Sequence, residues 1–183
     1  MAVTTSSDVV ELLASQHQQV KILLSRVASS PTGDTADESF CELRRMIAVH
    51  ETAEEEIVYP AVRATGEDGR RVAEARTAEE AEGTAVLAKL EKMTPGSAEF
   101  SRMFEDFRKA VLKHAEAEEA EVFPILRKQP ADKRENMAKA FAYAEKVAPT
   151  HAHPHTGTSA TAKLVAGPAL AIIDRVRDAL QKL

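Results

Sequence analysis

Apolar residues recur at helical spacing along most of the chain. Val9, Leu12, Leu13, Val20, Leu23, Leu24 and Val27 form one stripe, because residues one turn apart share a helix face. Ser7 or Asp8 can cap this helix, with Glu11 completing a capping box. It ends near Ser29, where Ser-Ser-Pro-Thr-Gly-Asp over 29–34 is loop chemistry. A second helix starts around Thr35 to Asp37 and carries Phe40, Leu43, Ile47, His50, Glu54, Ile57 and Val58 inward. Pro60 reads as a helix end or a kink, and Thr65-Gly66 as a stop. A third, rich in Ala and Glu, runs roughly from Asp68 to Met93 and is followed by the turn Thr94-Pro95-Gly96-Ser97. A fourth begins near Ser97, carries Phe100, Phe104, Phe107, Val111, His114, Glu118, Val122 and Leu126, and closes at Gln129-Pro130.

Four long helices with short loops predict an all-α fold, an up-down-up-down bundle over residues 8–128. Residues 129–183 read as a helical extension. It holds a short helix over 131–147, a His/Pro linker with His151, His153 and His155, and an amphipathic tail from Leu164 to Leu180. The tail is expected to be mobile or to dock on a protein partner or a second copy.

Composition narrows this picture. In 183 residues, 44% are hydrophobic and 29% charged, with a formal net charge of -5, so no basic field favours nucleic acid or an anionic membrane. Cys41 stands alone, which excludes an internal disulfide and thiolate clusters, and reads as a buried, inert thiol. The first residues lack the charged and apolar regions of a signal peptide, and no apolar run is long enough to span a bilayer. A cytoplasmic protein is the expectation.

The chemistry lies in a repeated segment. His50-Glu51-Thr52-Ala53-Glu54-Glu55-Glu56-Ile57-Val58-Tyr59-Pro60 matches His114-Ala115-Glu116-Ala117-Glu118-Glu119-Ala120-Glu121-Val122-Phe123-Pro124. Both read H-x-x-x-E-E-x-x-apolar-aromatic-Pro. At i and i+4, His50 and Glu54 face one spot, and His114 and Glu118 do the same from another helix. One imidazole and one carboxylate per helix, presented twice, is how a bundle builds a two-metal carboxylate site. A single histidine on an apolar face is more often a core residue, and a Glu-rich stretch more often a solvated face. The repetition, and His17 within the stripe of the first helix, tip the balance toward metal. Helix 3 has no histidine; Glu79, Glu80 and Glu82 are its candidates, and spacing does not separate them. Tyr59 is a candidate for the same pocket, with core packing as its plain alternative. The linker histidines at 151, 153 and 155 have no further ligand at helical spacing.

Leu12 to His17 and the two H-x-x-x-E-E segments together resemble the hemerythrin-like family with HHE cation-binding motifs. The resemblance implies a four-helix bundle around a non-haem centre of two iron ions, oxo- or hydroxo-bridged. His17, His50, Glu54, His114 and Glu118 would be ligands, the two glutamates bridging. Where the family usually has a histidine in helix 3, this chain has Glu80 within Glu79-Glu80-Ala81-Glu82-Gly83, and Glu80 is the ligand implied there. An added carboxylate lowers the redox potential, and the reduced histidine count weighs against reversible oxygen carriage. Three functions are then in view: catalase-like redox chemistry on hydrogen peroxide or oxygen with Tyr59 in a catalytic role, binding or sensing of oxygen, nitric oxide or iron, and a structural bundle with a vestigial site.

Overall fold

The computed structural model describes residues 7–147. The linker histidines and the tail stripe lie outside the described residues. Every described element is helical: α1 (Val9–Ser29), α2 (Asp34–Ala53), α3 (Glu67–Leu90), α4 (Ala98–Ala117) and α5 (Ala131–Val147). Two of these rods continue beyond their α-helical part. Beyond α2 come a π-helical turn, Glu54–Val58, and a last α turn, Tyr59–Arg63; beyond α4 come Glu118–Val122 and Phe123–Arg127. Among the described residues, no helix is long and apolar enough to cross a membrane.

Local chemistry sets the boundaries. Asp8, rather than Ser7, caps α1, its carboxylate accepting from the Val10 amide at 2.9 Å. Ser97 caps α4 through the Phe100 amide. Gly66 sits at φ 125°, a conformation closed to most other residues, and breaks the chain between the end of the α2 rod and α3.

The two π turns explain how proline is carried inside a continuous rod. Pro60 and Pro124 have no amide proton, and a proline ring clashes with the carbonyl one α-turn back. The chain widens ahead of each: the Tyr59 amide bonds to Glu54 O, and the Phe123 amide to Glu118 O. This i→i−5 bond inserts one residue into the turn. In an unbroken α-helix Tyr59 would sit about 140° around from Glu54. The extra residue brings it toward the same face, so Tyr59 reaches Glu118 and Glu80 in the interior, and Phe123 stacks on the His17 ring.

The core has two apolar parts. One holds Val9, Leu13, Val58, Tyr59, Val62, Phe123 and Leu126; the other holds Val20, Leu24, Leu43, Ile47, Leu90, Phe100, Phe104 and Phe107. Each fully buried side chain of this size contributes roughly 1.5–3 kcal/mol. Helix α5 joins the first part, with Met137, Ala138, Ala140 and Phe141 buried against α1 and α2. Arg134 ties α5 to the α1 cap, its Nε lying 2.7 Å from Asp8 Oδ2. Cys41 is half-buried rather than buried.

Candidate metal centre

Between the two apolar parts lies a layer of buried polar side chains. His17 comes from α1, His50 from α2, Glu54 and Glu118 from the π turns, Glu80 from α3, and His114 from α4. All but His114 are buried, and His114 is half-buried. Their inward atoms form two groups within 4.8 Å: His17, His50, Glu54 and Glu118, and Glu54, Glu80, His114 and Glu118. Glu54 and Glu118 belong to both.

Each imidazole is oriented from behind. His17 Nδ1 donates to Glu119 Oε1 at 3.0 Å, and Glu119 in turn accepts from Lys21 Nζ at 3.5 Å. His50 Nδ1 donates to Gln16 Oε1 at 2.7 Å. His114 Nδ1 donates to Glu79 Oε2 at 3.0 Å, and Arg76 holds the other oxygen of Glu79 at 2.8 Å. Such outer acceptors fix both tautomer and ring orientation. With Nδ1–H committed, a neutral imidazole offers only the Nε2 lone pair toward the centre. Those lone pairs face carboxylate oxygens: His17 Nε2 is 3.2 Å from Glu118 Oε2, His50 Nε2 is 3.2 Å from Glu54 Oε2, and His114 Nε2 is 3.6 Å from Glu118 Oε2. With the carboxylates ionised, acceptor meets acceptor, an arrangement that a cation resolves.

The hydrogen-bond balance agrees. His17 Nε2, both oxygens of Glu54, Glu80 Oε2, His114 Nε2 and Glu118 Oε2 are buried with no hydrogen-bond partner. Buried polar atoms are nearly always paired, so a converging set of orphans is a site rather than a packing fault. The donor set, imidazole nitrogen with carboxylate oxygen, suits iron, manganese or zinc.

Burial also shifts the proton affinities. It pushes His50 down to about 3, helped by the nearby His17, so this imidazole is neutral at pH 7. Burial, then the charges of Glu118 and Glu80, raises Glu54 well above the usual carboxylate range. Burial carries Glu80 up to about 9 and Glu51 up to about 8. Glu118 goes the other way: burial pushes it up, but the His17 contact and the charges of His114, His50 and His17 override this and hold it at about 2.

Tyr59 is fully buried, and its hydroxyl hydrogen-bonds with Glu118 Oε1 at 2.7 Å and with Glu80 Oε1, giving its one proton to the ionised Glu118 and meeting the protonated Glu80 with its oxygen. Burial and the surrounding carboxylates raise its pKa, so the phenol keeps its proton.

His17, His50, Glu54, Tyr59, His114 and Glu118 meet in this layer, together with Glu80 from α3. Of the three α3 glutamates, Glu80 points inward, Glu79 stands behind His114, and Glu82 is exposed. Sequence reasoning missed the outer partners Gln16 and Glu119, and named Glu79 only as a possible ligand rather than as the acceptor behind His114. The two missed were adjacent to named residues all along: Glu119 is the second glutamate of its E-E pair, and Gln16 precedes His17.

This is the architecture of a carboxylate–histidine cation-binding helical bundle. The domain family described as hemerythrin HHE cation binding domain matches residues 8–126, and the chain belongs to that family. A hemerythrin-like protein of Schizosaccharomyces pombe is 28% identical over 168 residues, covering 91% of this chain and 83% of that one. A protein of Nostoc sp. described as a DNA nickase is 26% identical over 131 residues, covering 69% of this chain but 37% of its own length. Among solved structures, a hemerythrin HHE cation-binding domain-containing protein from Mycobacterium kansasii superposes with a TM-score of 0.68 at 20% identity, over 76% of this chain and 85% of that one. At that identity the likeness concerns the fold.

Proposed function

We infer that the chain holds a non-haem centre of two iron ions and uses it in redox chemistry on hydrogen peroxide or dioxygen, with catalase-like disproportionation to water and dioxygen as the leading activity. His17 and His50 would serve one ion, His114 and Glu80 the other, and Glu54 and Glu118 would be shared by both. The observation that carries this reading is the convergence of unpartnered Nε2 and carboxylate oxygens on two spots with a common pair of glutamates. Such a pair of iron ions supplies an open coordination position and a two-electron redox couple.

The chain's own groups support peroxide chemistry more than passive gas binding. The Tyr59 hydroxyl is held in place by Glu80 and Glu118 and offers a fixed hydrogen-bond donor beside the shared carboxylate. Glu80 in place of an imidazole makes the donor set more anionic, which favours the oxidised metal. Binding or sensing of oxygen, nitric oxide or iron without turnover is the alternative.

The deciding experiment is metal analysis with an optical spectrum on full-length protein supplied with iron, followed by peroxide addition. Close to two irons per chain, a charge-transfer band and oxygen evolution are expected. A stable two-iron protein inert to peroxide would leave binding or sensing. Failure to bind any metal would overturn the metal reading.

A further inference from the structure

Beside the polar layer the protein contains a cavity of about 440 Å³. Its walls are mostly apolar: Val20, Ile47, Val86, Met103, Phe107 and Val111 line it, and His17, His50, Glu80 and His114 of the polar layer share in its lining. The lining residues from α1 and α2 are buried or half-buried and form the floor. Exposed Glu82, Lys89, Asp106 and Lys113, from α3 and α4, place the mouth in the seam between those helices.

The volume far exceeds what peroxide or dioxygen requires. A molecule of water occupies about 30 Å³ in the liquid, and an apolar cavity of about 150 Å³ accommodates benzene. The space here falls within the range of small-molecule sites, which combine apolar walls with a few converging polar groups. Two cations and two anions at the mouth give no preference for charge of either sign.

Gly83 is the second, independent observation. It lies in the interior of α3, where glycine is a poor helix former. It does not adopt positive φ, and a Cβ built there would meet nothing within 4 Å. Neither backbone conformation nor close packing therefore requires a glycine. What it does is line the cavity, leaving open the space a side chain would enter.

We propose that this cavity binds a neutral, largely apolar organic molecule of about two fused rings in size, entering through the α3–α4 seam and resting against His17, His50 and His114. Binding follows from the cavity alone. That the molecule is the co-substrate brought to the metal ions rests on the function proposed above.

The test uses full-length protein and the neutral fluorophore N-phenylnaphthylamine, whose emission rises in apolar surroundings. Saturable binding of one molecule per chain is expected, with and without iron. Gly83→Leu, which fills the cavity from α3 and improves helix propensity, should weaken that binding by roughly ten-fold or more, a change of about 1.4 kcal/mol. Val111→Trp should do the same from α4, and iron content should stay unchanged in both. In the iron-loaded protein the bound molecule should also perturb the optical spectrum of the metal. Absence of saturable binding, or equal binding by wild type and both variants, overturns the proposal even where iron binds normally. Iron failing to bind while the fluorophore binds as described would sink the metal reading and leave the cavity assignment standing.

Discussion

A site built for a cation should burden the protein that lacks one, and Glu54 shows how much. Its side chain is fully buried and neither oxygen has a hydrogen-bond partner. A buried polar group left unsatisfied costs about 1–3 kcal/mol. Glu54→Met keeps the unbranched chain and similar volume while removing that burden, so the metal-free variant should be more stable than metal-free wild type. At about 2–4 °C per kcal/mol for a chain of this size, Tm should rise by roughly 2–12 °C. Glu54→Gln retains a buried polar amide and should show little or no rise. Thermal denaturation in chelator, followed by circular dichroism, measures the first effect; the same melt with iron measures the second. Wild type should gain about 2.7 kcal/mol at a free iron concentration one hundred times Kd, and both variants should lose most of that gain. A metal-free Glu54→Met protein that melts at or below wild type would refute the reasoning, because the buried carboxylate would then be contributing stability on its own.

Proton linkage gives a second expectation. Glu80 and Glu51 have folded pKa values of about 9 and about 8 against an ordinary 4.5, so the stability they contribute is present below pH 4.5 and is lost as pH rises through 8 to 9. Melts of chelated protein should therefore show falling Tm from neutral to alkaline pH, and metal binding should strengthen and release protons over the same window; a Tm that climbs with pH there would contradict it. Toward acid the signs reverse: His50 at about 3 and Glu118 at about 2 are depressed, so stability is lost as pH falls from 6.5 toward 3 and from 4.5 toward 2. Tyr59→Phe should keep iron but cut peroxide turnover by at least about ten-fold, as expected for a positioned hydrogen-bond donor; unchanged kcat in an oxygen-electrode assay would remove Tyr59 from the chemistry. Gly69→Ala should destabilise although alanine is the better helix former: its Cβ would lie 2.1 Å from Val62 O and 2.3 Å from Thr65 Oγ1, overpacking that costs about 1–3 kcal/mol. A raised midpoint in urea would show that the α2–α3 corner can yield.

The helices and the cluster of candidate ligands were legible because they depend on period and local chemistry. His50 and Glu54, one turn apart, share a face whatever surrounds them, and the same holds for His114 and Glu118. His17 stood out because it interrupts an apolar stripe. The π turns were not legible from period, since a repeat of 3.6 assumes an unbroken α ladder; the sign was the proline placed identically after each Glu-Glu pair. That also explains Tyr59, whose place in the polar layer depends on the inserted residue. The outer partners were hidden for another reason. Glu119 and Glu79 sit half-buried on other helices from the imidazoles they hold, and only the packing angle between helices brings them within 3.0 Å. The packing of α5 against α1 and α2 was equally out of reach, because a short amphipathic helix does not name the groove it fills.

The two candidate cation positions are not equivalent, and this has a measurable consequence. One has two imidazoles, His17 and His50, with the shared glutamates; the other has His114 and the extra carboxylate of Glu80. The second is also crowded by the Tyr59 hydroxyl, whose bond to Glu80 must adjust before that oxygen can turn to a metal. Glu80 carries a proton at neutral pH, which an incoming cation must displace. Borderline divalent metals favour imidazole over carboxylate, while harder, more highly charged ions favour oxygen. Cobalt(II), a spectroscopically visible probe, should therefore fill the His17–His50 position first and the Glu80–His114 position second, in two resolved steps at pH 7. Glu80→Gln should abolish the second step and leave the first, and His50→Ala should abolish the first. Raising the pH toward 9 should bring the two steps together, as the proton on Glu80 ceases to oppose the second ion. A single cooperative step that Glu80→Gln removes whole would mean instead that the shared glutamates bind both ions or neither.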